Sequence, residues 1–170
     1  MAPARIYSES PMKDELDYTR ILGIISGCDD PEKLINIAQN AQRKNVDHVR
    51  IAAFEKLNTL IPQFPNESFE AGFWQMFTAY QNLLLDFGRP VIRLNRARKK
   101  AQSDGEEEAL IRWVSNSAQP WAFQTLIEQG DELLTAESLV IRFSERFDVE
   151  LVEQAKKRIN DTKRQSLETA

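Results

Sequence analysis

Residues 69–87 read Phe-Glu-Ala-Gly-Phe-Trp-Gln-Met-Phe-Thr-Ala-Tyr-Gln-Asn-Leu-Leu-Leu-Asp-Phe. Phe69, Phe73, Met76, Phe77, Tyr80, Leu83, Leu84 and Phe87 recur at the 3.6-residue helical period, and Trp74 and Leu85 widen that stripe beyond one face. The pattern predicts a helix from about Asn66 to Phe87. A helix that is apolar over more than half its circumference needs neighbours on two or more sides. This stretch therefore predicts the central helix of an all-α protein.

Upstream, Ser10-Pro11 followed by Asp14 and Glu15 reads as a helix start, with Tyr18, Ile21, Leu22 and Ile25 on one face and Gly27 as the stop. Asp30-Pro31-Glu32 opens a second helix, with Asp30 as its cap and Leu34, Ile37, Ala38 and Ala41 as its buried stripe. A third begins near Val46 or Asp47, turns Val49, Ala53, Phe54, Leu57 and Leu60 inward, and ends at Pro62.

Downstream of Gly88, residues Pro90 to Gln102 read as a helix broken by Ser103-Asp104-Gly105. Asp104 with Glu107 has the spacing of a capping box for a helix that buries Leu110, Trp113 and Val114. Gln119-Pro120 starts a helix with Trp121, Phe123, Leu126 and Ile127 inward and Gly130 as its stop. Thr135 is placed to cap a short helix through Ile141, although residues 139–143 also fit a strand. Asp148 caps a last helix with the stripe Val152, Ala155 and Ile159.

The expected architecture is an irregular bundle of about eight helices, with a HEAT-like stack of helical hairpins as the alternative. Residues 10–160 form the domain, with sub-lobes 10–87 and 89–160. Residues 1–9 and 161–170 are expected to be flexible.

Composition fits this class. Hydrophobic residues make up 42% of the chain and charged ones 28%, as in a soluble globular protein. At 170 residues no disulfide or metal is needed for folding. The single cysteine, Cys28, fits a reducing compartment, no apolar run approaches a membrane span, and the N-terminus lacks a secretory signal. A cytoplasmic protein is the expectation.

One feature suggests a task. Arg89, Arg93, Arg96, Arg98, Lys99 and Lys100 fall within twelve positions, with no carboxylate between Asp86 and Asp104. The chain's net charge is −4, so these six cations leave −10 on the remainder. In a helix Arg93, Arg96 and Lys100 share a face, with Arg89 one turn earlier, and Leu94, Ala97 and Ala101 form a separate docking line. The charged ridge spans roughly 16 Å. Forked guanidinium groups suit carboxylates or phosphates. The rival explanation lies close by, because Glu106, Glu107 and Glu108 can neutralise the face from within the fold.

Catalytic constellations are hard to assemble. His48 is the only histidine and reads as a helix-surface residue, and Asp29 and Asp30 are the wrong setting for a nucleophilic Cys28 thiolate. Two Cys or His residues in total fall short of a zinc site, and the glycines form no phosphate loop. Consecutive Glu106, Glu107 and Glu108 point in different directions on a helix, so a carboxylate–metal enzyme built on them is a minor alternative. Trp74, off the main stripe, is a candidate interface aromatic. The reading is a non-catalytic, cofactor-free interaction or regulatory module. Its basic face at 89–100 would bind an acidic protein partner or, as the alternative, nucleic acid.

Overall fold

The computed structural model describes residues 11–169, with side chains from Asp17 onward. Among these residues there are nine α-helices and no strand: α1 (Pro11–Ser26), α2 (Pro31–Arg43), α3 (Asp47–Thr59), α4 (Phe69–Asp86), α5 (Ile92–Asp104), α6 (Glu106–Ser115), α7 (Pro120–Gln129), α8 (Ala136–Arg142) and α9 (Val149–Thr169). The protein is all-α, as the periodicity of residues 69–87 implied. Residues 139–142 belong to α8 rather than to a strand. No described helix is long and apolar enough to cross a membrane. The expectations for Ser10 and for residues 1–9 lie outside the described residues.

The chain divides into two compact units at Ile61–Pro62, ahead of α4. In the first unit α2 and α3 form a helical hairpin, and α1 packs on α3. Asp30 caps α2 as its spacing required, its Oδ1 accepting from the backbone N–H groups of Glu32 and Lys33 at 3.0 and 3.3 Å. Leu34, Ile35, Ala38 and Ala41 meet Val49, Ala53, Phe54 and Leu57 in the core. Ile35 takes the fully buried place expected for Ile37, which is half-buried. Leu22 remains 36% exposed, and among the described side chains of α1 it is Ile25 that is buried in the core.

The second unit is organised on α4, which packs against α6, α7 and α8. Ser68 starts the helix, its hydroxyl accepting from the Ala71 N–H at 3.1 Å. Phe73, Phe77 and Tyr80 are completely buried. Each such ring stabilises by about 1.5–3 kcal/mol, so this face dominates the unit. Gly72 permits a close approach to α8, since a Cβ there would lie 2.7 Å from Leu139 Cδ1. Thr135 caps α8 by accepting from the Ser138 N–H at 3.2 Å.

Two details at the ends of this unit differ from expectation. Phe87 lies past the end of α4 and is 57% exposed, its ring set edge-on against Trp121 at 5.1 Å. Residues 161–169, expected to fray, continue α9, and Lys163 there forms an ion pair with Glu132.

α8 and α9 also share a buried charge pair. Glu137 is fully buried and pairs with Arg158, whose guanidinium lies 4.2 Å from the Phe123 ring centroid. Burial raises the Glu137 pKa, and the positive charge of Arg158 opposes the shift. The phenol of Tyr80 is pushed well above its usual pKa, first by burial and then by the charge of Glu137.

Candidate functional site

The basic run folds into α5, and Gly105 decides what faces it. Gly105 adopts φ +93°, ends α5 and begins α6, so the two helices pack against each other across one residue. A Cβ at Gly105 would meet nothing within 4 Å, so glycine is needed for its backbone angle rather than for space. Asp104 is therefore not the cap of α6. It is the last residue of α5, where Lys100 and the Ser103 hydroxyl claim its carboxylate. Those hydrogen bonds, that of Lys100 first, hold its pKa below the usual carboxylate value.

Between α5 and α6 lies an open groove of about 390 Å³. Arg93, Arg96 and Lys100 line it from α5, Arg112 lines it from α6, and Ala97, Ala109 and Trp113 form its apolar base. Ala109 and Trp113 are buried, whereas Arg93, Arg96 and Arg112 are exposed. The predicted ridge of Arg93, Arg96 and Lys100 is thus one wall of a groove. Leu94 and Ala101 dock α5 inward as expected, but Ala97 faces the groove.

The six-residue cluster does not act as one patch. Arg98 is only 2% exposed, and its Nη2 donates to Gln81 Oε1 at 3.0 Å. Its guanidinium lies 4.8 Å from the centroid of Phe77 and 5.5 Å from that of Trp74. Burial lowers its pKa to about 10. Arg98 is therefore a core residue and no contact residue, because π faces and an amide rather than water receive its charge. Lys99 is exposed but does not line the groove. Arg89 precedes α5 and stacks on Trp121, 3.7 Å from the ring centroid.

Trp74 is also withdrawn from the surface. It is 6% exposed under the α5–α6 corner, and its indole N–H donates to Glu106 Oε1 at 3.0 Å.

The acidic trio does not cancel the basic wall. Glu106 bonds Trp74, Glu107 pairs with Arg146 at 3.6 Å, and Glu108 pairs with Arg112 at 3.0 Å. Neither Arg93 nor Arg96 has a carboxylate partner among the described residues. Lys100 and Arg112 are matched within their own helices by Asp104 and Glu108. The surplus positive charge therefore sits at the Arg93–Arg96 end.

Arg112 and Trp113 are among the groove residues that sequence reasoning did not select as site residues. Arg112 reads as a lone cation after three glutamates, and only the Gly105 turn sets it across from Lys100. Trp113 was recognisable as buried, but not as the base of a groove. Elsewhere, His48 is exposed with Tyr18 edge-on against it at 5.2 Å, and the Cys28 thiol faces the Asp30 carbonyl oxygen at 3.6 Å. Among the described residues no three His, Cys, Asp or Glu side chains gather as metal ligands. The chain matches no protein-family model, no curated protein and no solved structure.

Proposed function

We propose that this protein is a non-catalytic interaction module that holds an acidic segment of a partner protein in the groove between α5 and α6. One observation carries the reading. Arg93 and Arg96 stand without carboxylate partners among the described residues, on the wall of a groove with an apolar base. Exposed arginines usually find a neighbouring carboxylate or remain in open water. Two of them beside Ala97, Ala109 and Trp113 suit a ligand that brings both negative charge and apolar surface. The remainder of the chain, at −10, repels an anion generally and concentrates its attraction on this face.

A second reading, single-stranded nucleic acid, is favoured by one feature. Phe87, Trp121 and Arg89 form a ring-and-guanidinium cluster next in sequence to the groove. Such clusters stack bases. Fluorescence anisotropy separates the two readings, with a labelled Glu- and Leu-containing peptide and a short oligothymidylate as probes. The protein-partner reading expects the peptide to bind and Arg93→Ala/Arg96→Ala to release it. Oligothymidylate binding that is lost in Phe87→Ser/Trp121→Ser would replace it with the nucleic-acid reading.

A further inference from the structure

We infer that the anion this groove selects is a phosphate monoester carried on the partner's segment; the inference rests on the acidic-segment reading above. Charge matching inside the groove is the starting point. Lys100 and Arg112 are each answered by one carboxylate, from Asp104 and Glu108. Arg93 and Arg96, three residues apart on consecutive turns of α5, are answered by none among the described residues. The unmatched charge is thus two, and it is localised.

A carboxylate has one charge and two oxygens, which a single guanidinium fork satisfies. A phosphate monoester carries roughly −1.5 to −2 charges and three acceptor oxygens, so it engages two forks at once. A phosphodiester in a nucleic acid offers a single charge and two free oxygens per group, so each group engages one fork and two separate groups are needed where one monoester suffices. The monoester is the closer fit.

The beginning of α5 adds to the same field. Its N-cap, Val91, supplies no side-chain hydrogen bond, and its first turn contains no acid. Arg93, the second residue of the helix, therefore stands next to the positive end of an uncapped dipole. A cation there is unfavourable by itself and becomes favourable when an anion is bound. Asn116 and Gln119 also line the groove and offer neutral donors to the third oxygen. The base of Ala97, Ala109 and Trp113 accepts an apolar side chain beside the phosphorylated residue.

The test uses the full chain and three labelled peptides, Gly-Glu-Leu-X-Leu-Glu-Gly, with X serine, glutamate or phosphoserine. At pH 7.5 the phosphoserine peptide is expected to bind about tenfold more tightly than the glutamate peptide. That advantage shrinks at pH 5.5, because the second phosphate ionisation lies near pH 6. It is also lost in Arg93→Lys/Arg96→Lys, which keeps both charges but removes both forks. Equal binding of the glutamate and phosphoserine peptides would overturn the phosphate inference and leave the acidic-segment reading standing. An unchanged phosphoserine advantage in the double lysine variant would also overturn it. No binding of any peptide would overturn both, and so would oligothymidylate binding in their place.

Discussion

Replacing Arg158 with methionine tests how the second unit tolerates its buried carboxylate. Glu137 has no exposed surface, its Oε1 pairs with Arg158, and its Oε2 has no partner among the described residues. Methionine keeps an unbranched stem against Phe123 and removes the one charge that answers the carboxylate among the described residues. Removing one partner of a buried pair typically destabilises by about 3–5 kcal/mol.

The reciprocal change, Glu137→Gln, keeps the shape and leaves Arg158 without its anion. The Arg158 side chain is 14% exposed and its Nη2 also reaches the Ser117 carbonyl oxygen at 3.4 Å, so about 1–2 kcal/mol is expected for that variant. The double variant should recover most of the loss caused by Arg158→Met, because no buried charge remains.

The pH dependence follows from the direction of the Glu137 shift. Its folded-state pKa is raised, so the folded state binds the proton more tightly than the unfolded chain. Stability from this group is therefore least above the folded pKa and grows as pH falls towards the unfolded value of about 4.5. Arg158→Met removes the influence that lowers the folded pKa, so its penalty should shrink as pH falls from about 7.5 to about 5. Glu137→Gln should show no such slope from this site. Urea unfolding at several pH values measures both effects. A loss in Arg158→Met no greater than in Glu137→Gln, or one independent of pH, would refute the buried-pair assignment.

Four further substitutions, at three positions, probe the second unit by the same unfolding measurement. Arg98→Met should change stability by no more than about 1 kcal/mol, since relief of a buried cation is offset by the loss of the donor to buried Gln81 Oε1, whereas Arg98→Ala should destabilise by about 2–4 kcal/mol through lost contact with Phe77, Trp74 and Gln81. Phe77→Ala should cost about 3–5 kcal/mol as a fully buried ring between Trp74 and Trp113. Gly130→Ala should cost about 1–2 kcal/mol from backbone strain alone, because φ is +83° there and nothing crowds a Cβ.

The helices were legible where one periodicity accounted for a whole stretch. Residues 69–87 needed a surround of neighbours, and Asp30, Gln119-Pro120 and Gly130 marked ends that the backbone then used. The site was only half legible, for reasons of tertiary packing. Charge alone sends an arginine outward, yet Arg98 turns inward because the rings of α4 and Gln81 wait on that side. An off-stripe Trp74 is open to a partner until the α5–α6 corner is laid over it and Glu106 takes its N–H. The capping-box spacing of Asp104 and Glu107 was sound chemistry in the wrong place, because Lys100 on the same helix holds the carboxylate first. The partition of Glu106, Glu107 and Glu108 among Trp74, Arg146 and Arg112 depends on contacts across the fold that no local pattern records.

The three tryptophans provide the most direct test of the groove as a binding site. In an amide–indole NMR spectrum of the ¹⁵N-labelled protein, Trp74, Trp113 and Trp121 each give one indole N–H signal, and the Glu- and Leu-containing peptide is titrated in. Trp113 at the base is expected to shift, while Trp74, buried and bonded to Glu106, stays in place. The Trp113 shift should vanish in Arg93→Ala/Arg96→Ala. Peptide binding that leaves the Trp113 signal unmoved, or that persists undiminished in the double variant, would contradict the assignment of this groove.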